Sequence, residues 1–184
     1  LADAAYLARD LINTPASDLG PDAFEIAVRD LASRHAMDVA VTLGEDLLDH
    51  NFPLIHAVGR ASAQAPRLMD LSWGGPSHPR VTLVGKGVTF DTGGYSIKPG
   101  PSMYTMNGDM GGSGAVLGAM KAIALNKLEK NVTAVVLATD NVISGDAYVP
   151  GDIVGSMLGK TIEIHSTDAE GRLTLADAVY YAIT

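Results

Sequence analysis

Residues Val81-Thr82-Leu83-Val84-Gly85-Lys86-Gly87-Val88-Thr89-Phe90-Asp91-Thr92-Gly93-Gly94 run from an apolar, β-branched stretch into a glycine-bearing loop that holds a lysine and an aspartate. Val81–Val84 predicts a strand, and ligand sites of α/β folds gather just past strand ends. The glycines suggest a phosphate loop, but that motif needs Lys directly before Ser or Thr, and Lys86 is followed by Gly87.

Outward from this stretch, the chain alternates strand and helix patterns. Leu1 to Asn13 has helical apolar spacing and ends at Asn13-Thr14-Pro15. Pro21-Asp22 opens a second helix through about Ala36. Met37 to Leu43 alternates like a strand, and Gly44 starts another short helix. Leu54–Val58 and Arg67–Trp73 read as strand or buried-segment material, with a polar loop at 74–79. After the Gly-rich stretch from Gly85 to Gly114 comes a helix from about Gly112 to Asn126. A buried strand at Val132–Thr139, a loop-rich stretch Asn141–Ile153, a short strand Thr161–Ile164 and a helix Leu173–Ile183 complete the order. Strands interleaved with helices imply a layered α/β sheet.

The composition narrows the function. At 184 residues, 47% of them hydrophobic and 18% charged, the chain can bury one core. Its apolar stretches are strand-length, short of the ~20 residues that span a bilayer, so no membrane association is expected. The net charge of −8 disfavours nucleic acid, because phosphate binding wants a basic stripe. With no cysteine, any metal must be held by oxygen and nitrogen ligands. A reducing cytoplasm is compatible with that lack.

Four carboxylates lie on three glycine-bearing loops: Asp91, Asp109, and the pair Asp168 and Glu170 in Thr167-Asp168-Ala169-Glu170-Gly171-Arg172. In an extended segment Asp168, Glu170 and Arg172 would project together; alternatively Asp168 and Glu170 decorate the first turn of the next helix. Taken alone, Asp109 reads first as a helix cap and Lys98 as a surface lysine. Together the four carboxylates would repel unless divalent cations neutralised them. A lysine ligand would have to lose its proton, which burial beside dications can bring about.

These residues carry a resemblance. Asn13-Thr14-Pro15 with Asp18-Leu19, Val84-Gly85-Lys86-Gly87 with Phe90-Asp91-Thr92-Gly93-Gly94, Lys98-Pro99, Asp109-Met110-Gly111-Gly112, Ser144-Gly145 with Pro150-Gly151-Asp152, and Thr167 through Leu173 with Leu175-Ala176-Asp177-Ala178 stand in the order of the leucyl aminopeptidase (cytosol aminopeptidase) family. The chain resembles that family of two-metal exopeptidases. The resemblance implies a three-layer α/β sandwich, with a mixed, largely parallel sheet flanked by helices. It implies that Lys86, Asp91, Asp109 and Glu170 hold a tighter ion, and that Asp91, Asp168 and Glu170 hold a more exchangeable one. Lys98 would be the catalytic lysine, and Arg172 would hold a bicarbonate acting as general base. The implied cofactors are two divalent ions, Mn or Zn and possibly Mg, with bicarbonate. The implied substrates are peptides with a free N-terminus and a Leu-like first residue, and the implied assembly is a cytoplasmic homohexamer.

The sequence departs from the family at Ser166, usually Asn, at Asn107, usually Lys, and at Val149, usually Arg; none is a ligand position. His165 is a candidate extra ligand or a strand-end histidine, and Glu163 belongs to a solvated face. Asp140, Asp146 and Asp152 read as turn formers. Met103, Met106 and Met110 either line a substrate pocket or fill core. The first residue is Leu1, and the family has an additional amino-terminal domain and a longer catalytic domain. Residues 1–184 are therefore expected to be a partial catalytic domain. A non-catalytic metal-binding piece or structural subunit, and a two-metal phosphoesterase, are the alternatives.

Overall fold

The computed structural model describes residues 1–184. Two helices, α1 (Ala2–Asn13) and α2 (Pro21–His35), precede strand β1 (Asp38–Leu43); short helices α3 (Asp46–Asp49) and α4 (Pro53–Gly59) lead into β2 (Arg67–Trp73). Then follow β3 (Arg80–Gly85), β4 (Val88–Asp91), α5 (Gly100–Met103), α6 (Gly111–Leu125) and β5 (Asn131–Asn141). A hairpin of β6 (Ile153–Gly155) and β7 (Thr161–Glu163) precedes α7 (Glu170–Ile183).

The main sheet runs β1-β2-β5-β3. It is mixed, as expected. β1 and β2 pair antiparallel, as do β2 and β5, whereas β3 and β4 both run parallel to β5 along its other edge. The parallel pairings are thus two of four, and they are the half that carries the charged loops.

Alternation on β5 builds the layers. Val132, Ala134, Val136 and Ala138 pack with Leu11 of α1, Phe24, Val28 and Leu31 of α2, and Leu117 and Met120 of α6. Val135 and Leu137 face the other way, onto Leu47, Phe52, Ile55 and Ala178 of α7. A strand buried on both faces reads as the continuous apolar run that Val132–Thr139 shows. Met110 is buried in the first of these clusters and is core, not pocket lining.

Leu54–Val58 forms a helix, with Leu54, Ile55, Ala57 and Val58 buried. Pro53 stands at its first position, where its missing N–H costs nothing, and the Asp177 carboxylate accepts a 2.8 Å hydrogen bond from the Leu54 N–H. The Gly-rich stretch contains a strand, β4, that its glycines hid. β3 and β4 are successive pieces against one edge of β5, broken at Lys86-Gly87. A Cβ on Gly87 would stand 1.6 Å from the Leu137 carbonyl oxygen, so only glycine permits this crossing. The break turns the Lys86 side chain off the sheet edge toward α6 and α7.

Candidate metal centre

The end of β3 and the start of α6 are stitched together: the Ser113 N–H donates to the Lys86 carbonyl at 2.8 Å and the Ser113 hydroxyl to the Gly85 carbonyl at 2.8 Å. That contact carries Asp109, two residues before α6, to Lys86. The Lys86 ammonium donates to both Asp109 oxygens at 2.7 and 2.6 Å, and to Glu170 Oε1 at 2.8 Å. Asp109 makes no capping bond on α6, so the charge pairing is its role here. A Cβ on Gly171 would lie 2.6 Å from Lys86 Cε, which is why the α7 residue beneath the lysine is glycine.

A second lysine closes the other side. Lys98 Nζ lies 2.9 Å from Asp91 Oδ2 and donates to Asp168 Oδ1. Its side chain is only 15% exposed, which removes the reading of Lys98 as a free surface lysine. Asp91 and Glu170 are buried, and oxygen atoms of Asp91, Asp168 and Glu170 lie within 4.8 Å of one another.

The expected extended alternation at 168–172 is not what forms. Thr167–Ala169 is a 3-10 turn, capped by the Ser166 hydroxyl accepting the Asp168 N–H, and Glu170 begins α7. On a helix, residues two apart point to opposite sides. Glu170 is therefore buried and Arg172 exposed, without an ion-pair partner. The helix-start alternative gave the backbone, and the charged-cluster alternative gave Asp168 and Glu170 their partners. Arg172 nevertheless lines, with Lys86, Asp168 and Glu170, one cavity of about 310 Å³.

The electrostatics follow from burial against pairing. Burial alone would lower the Lys86 pKa, but hydrogen bonds to Asp109 and Glu170, with their charges, raise it. The same balance, with Asp168 and Asp91 as partners, raises Lys98. Asp109 is pushed up to about 6: burial first, then the charges of Glu170 and Asp91, outweigh the Lys86 hydrogen bond. Both members of the Lys86–Asp109 pair thus shift upward, the lysine because its carboxylate partners outweigh burial and the aspartate chiefly through burial. Four carboxylates against two ammonium groups leave two negative charges uncompensated when all are ionised. Hard carboxylate donors suit small divalent cations, not thiophilic ones.

Three residues outside the expected set hold the site. Thr167 accepts from the Ser96 N–H at 2.8 Å and donates to the Gly93 carbonyl at 2.6 Å. The buried Tyr148 hydroxyl donates to the Thr167 carbonyl at 2.8 Å, and burial pushes the pKa of that phenol up. Asn141, at the end of β5, donates to Asp91 Oδ1 at 2.8 Å and to the Thr167 carbonyl at 2.9 Å. The available signal was position: Asn141 follows an apolar run at a strand end, where sites gather. His165 is 83% exposed, 3.6 Å from Glu163, and stands apart from the cluster. Asp140 lies in strand β5 and is not a turn former; it accepts from the Ser62 and Thr89 hydroxyls, whereas Asp152 accepts the Val149 N–H in a turn, as expected.

Residues 6–184 match the family described as "Cytosol aminopeptidase family, catalytic domain". The chain belongs to the cytosol aminopeptidase family. It is 47% identical over 186 residues to the probable cytosol aminopeptidase of Clostridium perfringens, a match covering 100% of this chain and 38% of that protein. Among solved structures of the family, it is similar to the cytosol aminopeptidase of Coxiella burnetii at 47% identity and TM-score 0.94, covering 97% of this chain and 39% of that one. It is also similar to the bottromycin maturation enzyme BotP in complex with Mn, at 42% identity and TM-score 0.93, covering 98% and 40%. The chain thus spans somewhat more than a third of the length of these cytosol aminopeptidase relatives. No helix is long and apolar enough to cross a membrane.

Proposed function

We propose that this chain is the first part of the catalytic domain of a two-metal aminopeptidase that removes unblocked, Leu-like N-terminal residues from peptides. The observation carrying the reading is the convergence of Asp91, Asp168 and Glu170 within 4.8 Å, flanked by Lys86 and Lys98. Lys86, Asp91, Asp109 and Glu170 would hold one ion, and Asp91, Asp168 and Glu170 the other, Asp91 and Glu170 being shared. Bound divalent ions, Mn or Zn, would supply polarisation of the scissile carbonyl and a nucleophile from water near neutral pH.

The chain's own residues then have separate tasks. Lys98, held beside Asp91 and Asp168, can as an ammonium donate a hydrogen bond to an oxygen that gains negative charge. Arg172, exposed and without a carboxylate partner on the wall of the shared cavity, can hold a bicarbonate beside Asp168, where that anion would serve as general base. Asp109 and Glu170 hold the Lys86 nitrogen between them. A homohexamer in the cytoplasm completes the reading, in keeping with the family resemblance and the relatives' names.

The test is hydrolysis of leucine anilide by the full-length polypeptide with added Mn²⁺ or Zn²⁺. Activity that chelator abolishes is expected, and its absence with both ions overturns the reading. Lys98→Met should lower kcat by about 10²-fold or more, the usual scale for losing one oxyanion donor, while metal stoichiometry stays unchanged. A metal-binding piece without catalysis is the second reading, since the cluster of Asp91, Asp168 and Glu170 supports ion binding by itself. It predicts that residues 1–184 alone bind Mn²⁺ but do not hydrolyse the anilide.

A further inference from the structure

We propose that Asn141 is a positioning residue that sets how Asp91 and Glu170 share two ions; this rests on the two-metal reading above. Asn141 is the last residue of β5 and is 1% exposed. Its main-chain oxygen accepts both the Thr92 N–H and the Thr92 hydroxyl at 2.9 Å, which pins the loop after β4. Its side-chain Nδ2 faces Asp91 Oδ1 at 2.8 Å, the Thr167 carbonyl at 2.9 Å and, more loosely, Glu170 Oε2 at 3.4 Å. One residue therefore ties together the three segments that bring in Asp91, Asp168 and Glu170.

The chemistry of the group explains its choice. All three neighbours of Nδ2 are acceptors, so the amide can stand only with its N–H groups toward them. The opposite end bears the consequence, since Asn141 Oδ1 is the one buried side-chain polar atom without a partner. An orphaned acceptor is tolerated when its other end performs a task. That task is direction: the Gly93 N–H and Asn141 both occupy Asp91 Oδ1, leaving Oδ2 as the oxygen aimed into the cluster toward Lys98. A neutral donor orients both carboxylates without neutralising them. A lysine would compete with the cations, and an aspartate would add a fifth negative charge.

Groups that hold metal ligands by hydrogen bonds commonly cost 10- to 100-fold in affinity when removed. The experiment titrates Mn²⁺ into the full-length protein and into Asn141→Leu and Asn141→Ser, with calorimetry for each equivalent and EPR for a coupled Mn pair. Leucine keeps the volume without a donor, and serine has one hydroxyl proton, too few to serve both carboxylates. Far-UV circular dichroism identifies the variants that fold.

A folded variant is expected to bind at least one Mn²⁺ equivalent 10- to 100-fold more weakly and to lose the coupled-pair signal. Should leucine fail to fold, serine decides. Wild-type affinity and a wild-type pair signal in either folded variant overturn the proposal, and a lower unfolding midpoint with unchanged Mn²⁺ affinity marks Asn141 as merely structural. Wild-type protein binding fewer than two Mn²⁺ would instead overturn the two-metal reading itself.

Discussion

Lys86 has three N–H bonds and three acceptors, both Asp109 oxygens and Glu170 Oε1. Its stem rests on Gly171, so the ion pairs depend on a missing methyl group. In Gly171→Ala the new Cβ displaces the lysine stem. Alanine adds about 1 kcal/mol of helix propensity in α7, while weakening hydrogen bonds between charged groups costs about 1.5–3 kcal/mol. The expected net loss is roughly 0.5–2 kcal/mol, read by urea unfolding without metal; an unchanged or higher midpoint would contradict it. Asp91, Asp109, Asp168 and Glu170 were legible as candidates, because carboxylates beside glycines at element ends are a visible pattern. Asn141 was not, because a neutral amide carries no charge signature and its partners lie 26 to 50 residues away. The outward turn of Arg172 was misread for a local reason: two-residue spacing means one side on a strand and opposite sides on a helix.

Among the elements, α7 and α4 depend on one buried carboxylate. Asp177 Oδ2 accepts the Leu54 N–H at 2.8 Å and Oδ1 the Met157 N–H at 2.9 Å, tying α4, the β6–β7 hairpin and α7 together. Asn has one acceptor oxygen where Asp has two, so Asp177→Asn leaves one buried N–H without a partner. The expected loss is about 1–3 kcal/mol, measured by denaturant unfolding. Burial outweighs the N–H bonds and raises the Asp177 pKa above its ordinary 3.8. The folded state then keeps this proton to higher pH than the unfolded chain, so Asp177's contribution to stability falls as pH rises from 3.8 through the raised value and is flat above it. Asp177→Asn should remove that slope, and a variant retaining it would refute the assignment. Long elements were legible from periodicity. β4 and α4 were not: four residues among glycines and seven beginning at a proline are too short for a period to declare itself.

Over the whole molecule, the sandwich is covered unevenly. The outer face of α7 and the β6–β7 hairpin frame an open apolar groove of about 620 Å³ lined by Leu158, Ile162, Leu175, Val179, Tyr180 and Ile183. Ile183 is 75% and Val179 46% exposed. A contiguous apolar surface of this kind promotes association. The 184-residue chain alone should bind the dye ANS and self-associate, and Val179→Lys with Ile183→Glu should reduce both; dye fluorescence and sedimentation read the outcome, and no change would contradict it. The layer order was legible from the alternation of strands and helices, whereas which helix covers which face depends on side chains far apart in sequence.

The long spacing of the charged contacts also has a kinetic consequence. Lys86 meets Glu170 across 84 residues, and Lys98 meets Asp168 across 70. Such non-local contacts are slow to form, because long loops must close first. The ion-binding groups therefore come together only once β3, β5 and α7 have docked, and a dication has no assembled chelate to grip earlier in folding. Cations would leave the rate of folding nearly untouched and slow the rate of unfolding, acting as a latch on a finished structure and not as a nucleus for its formation.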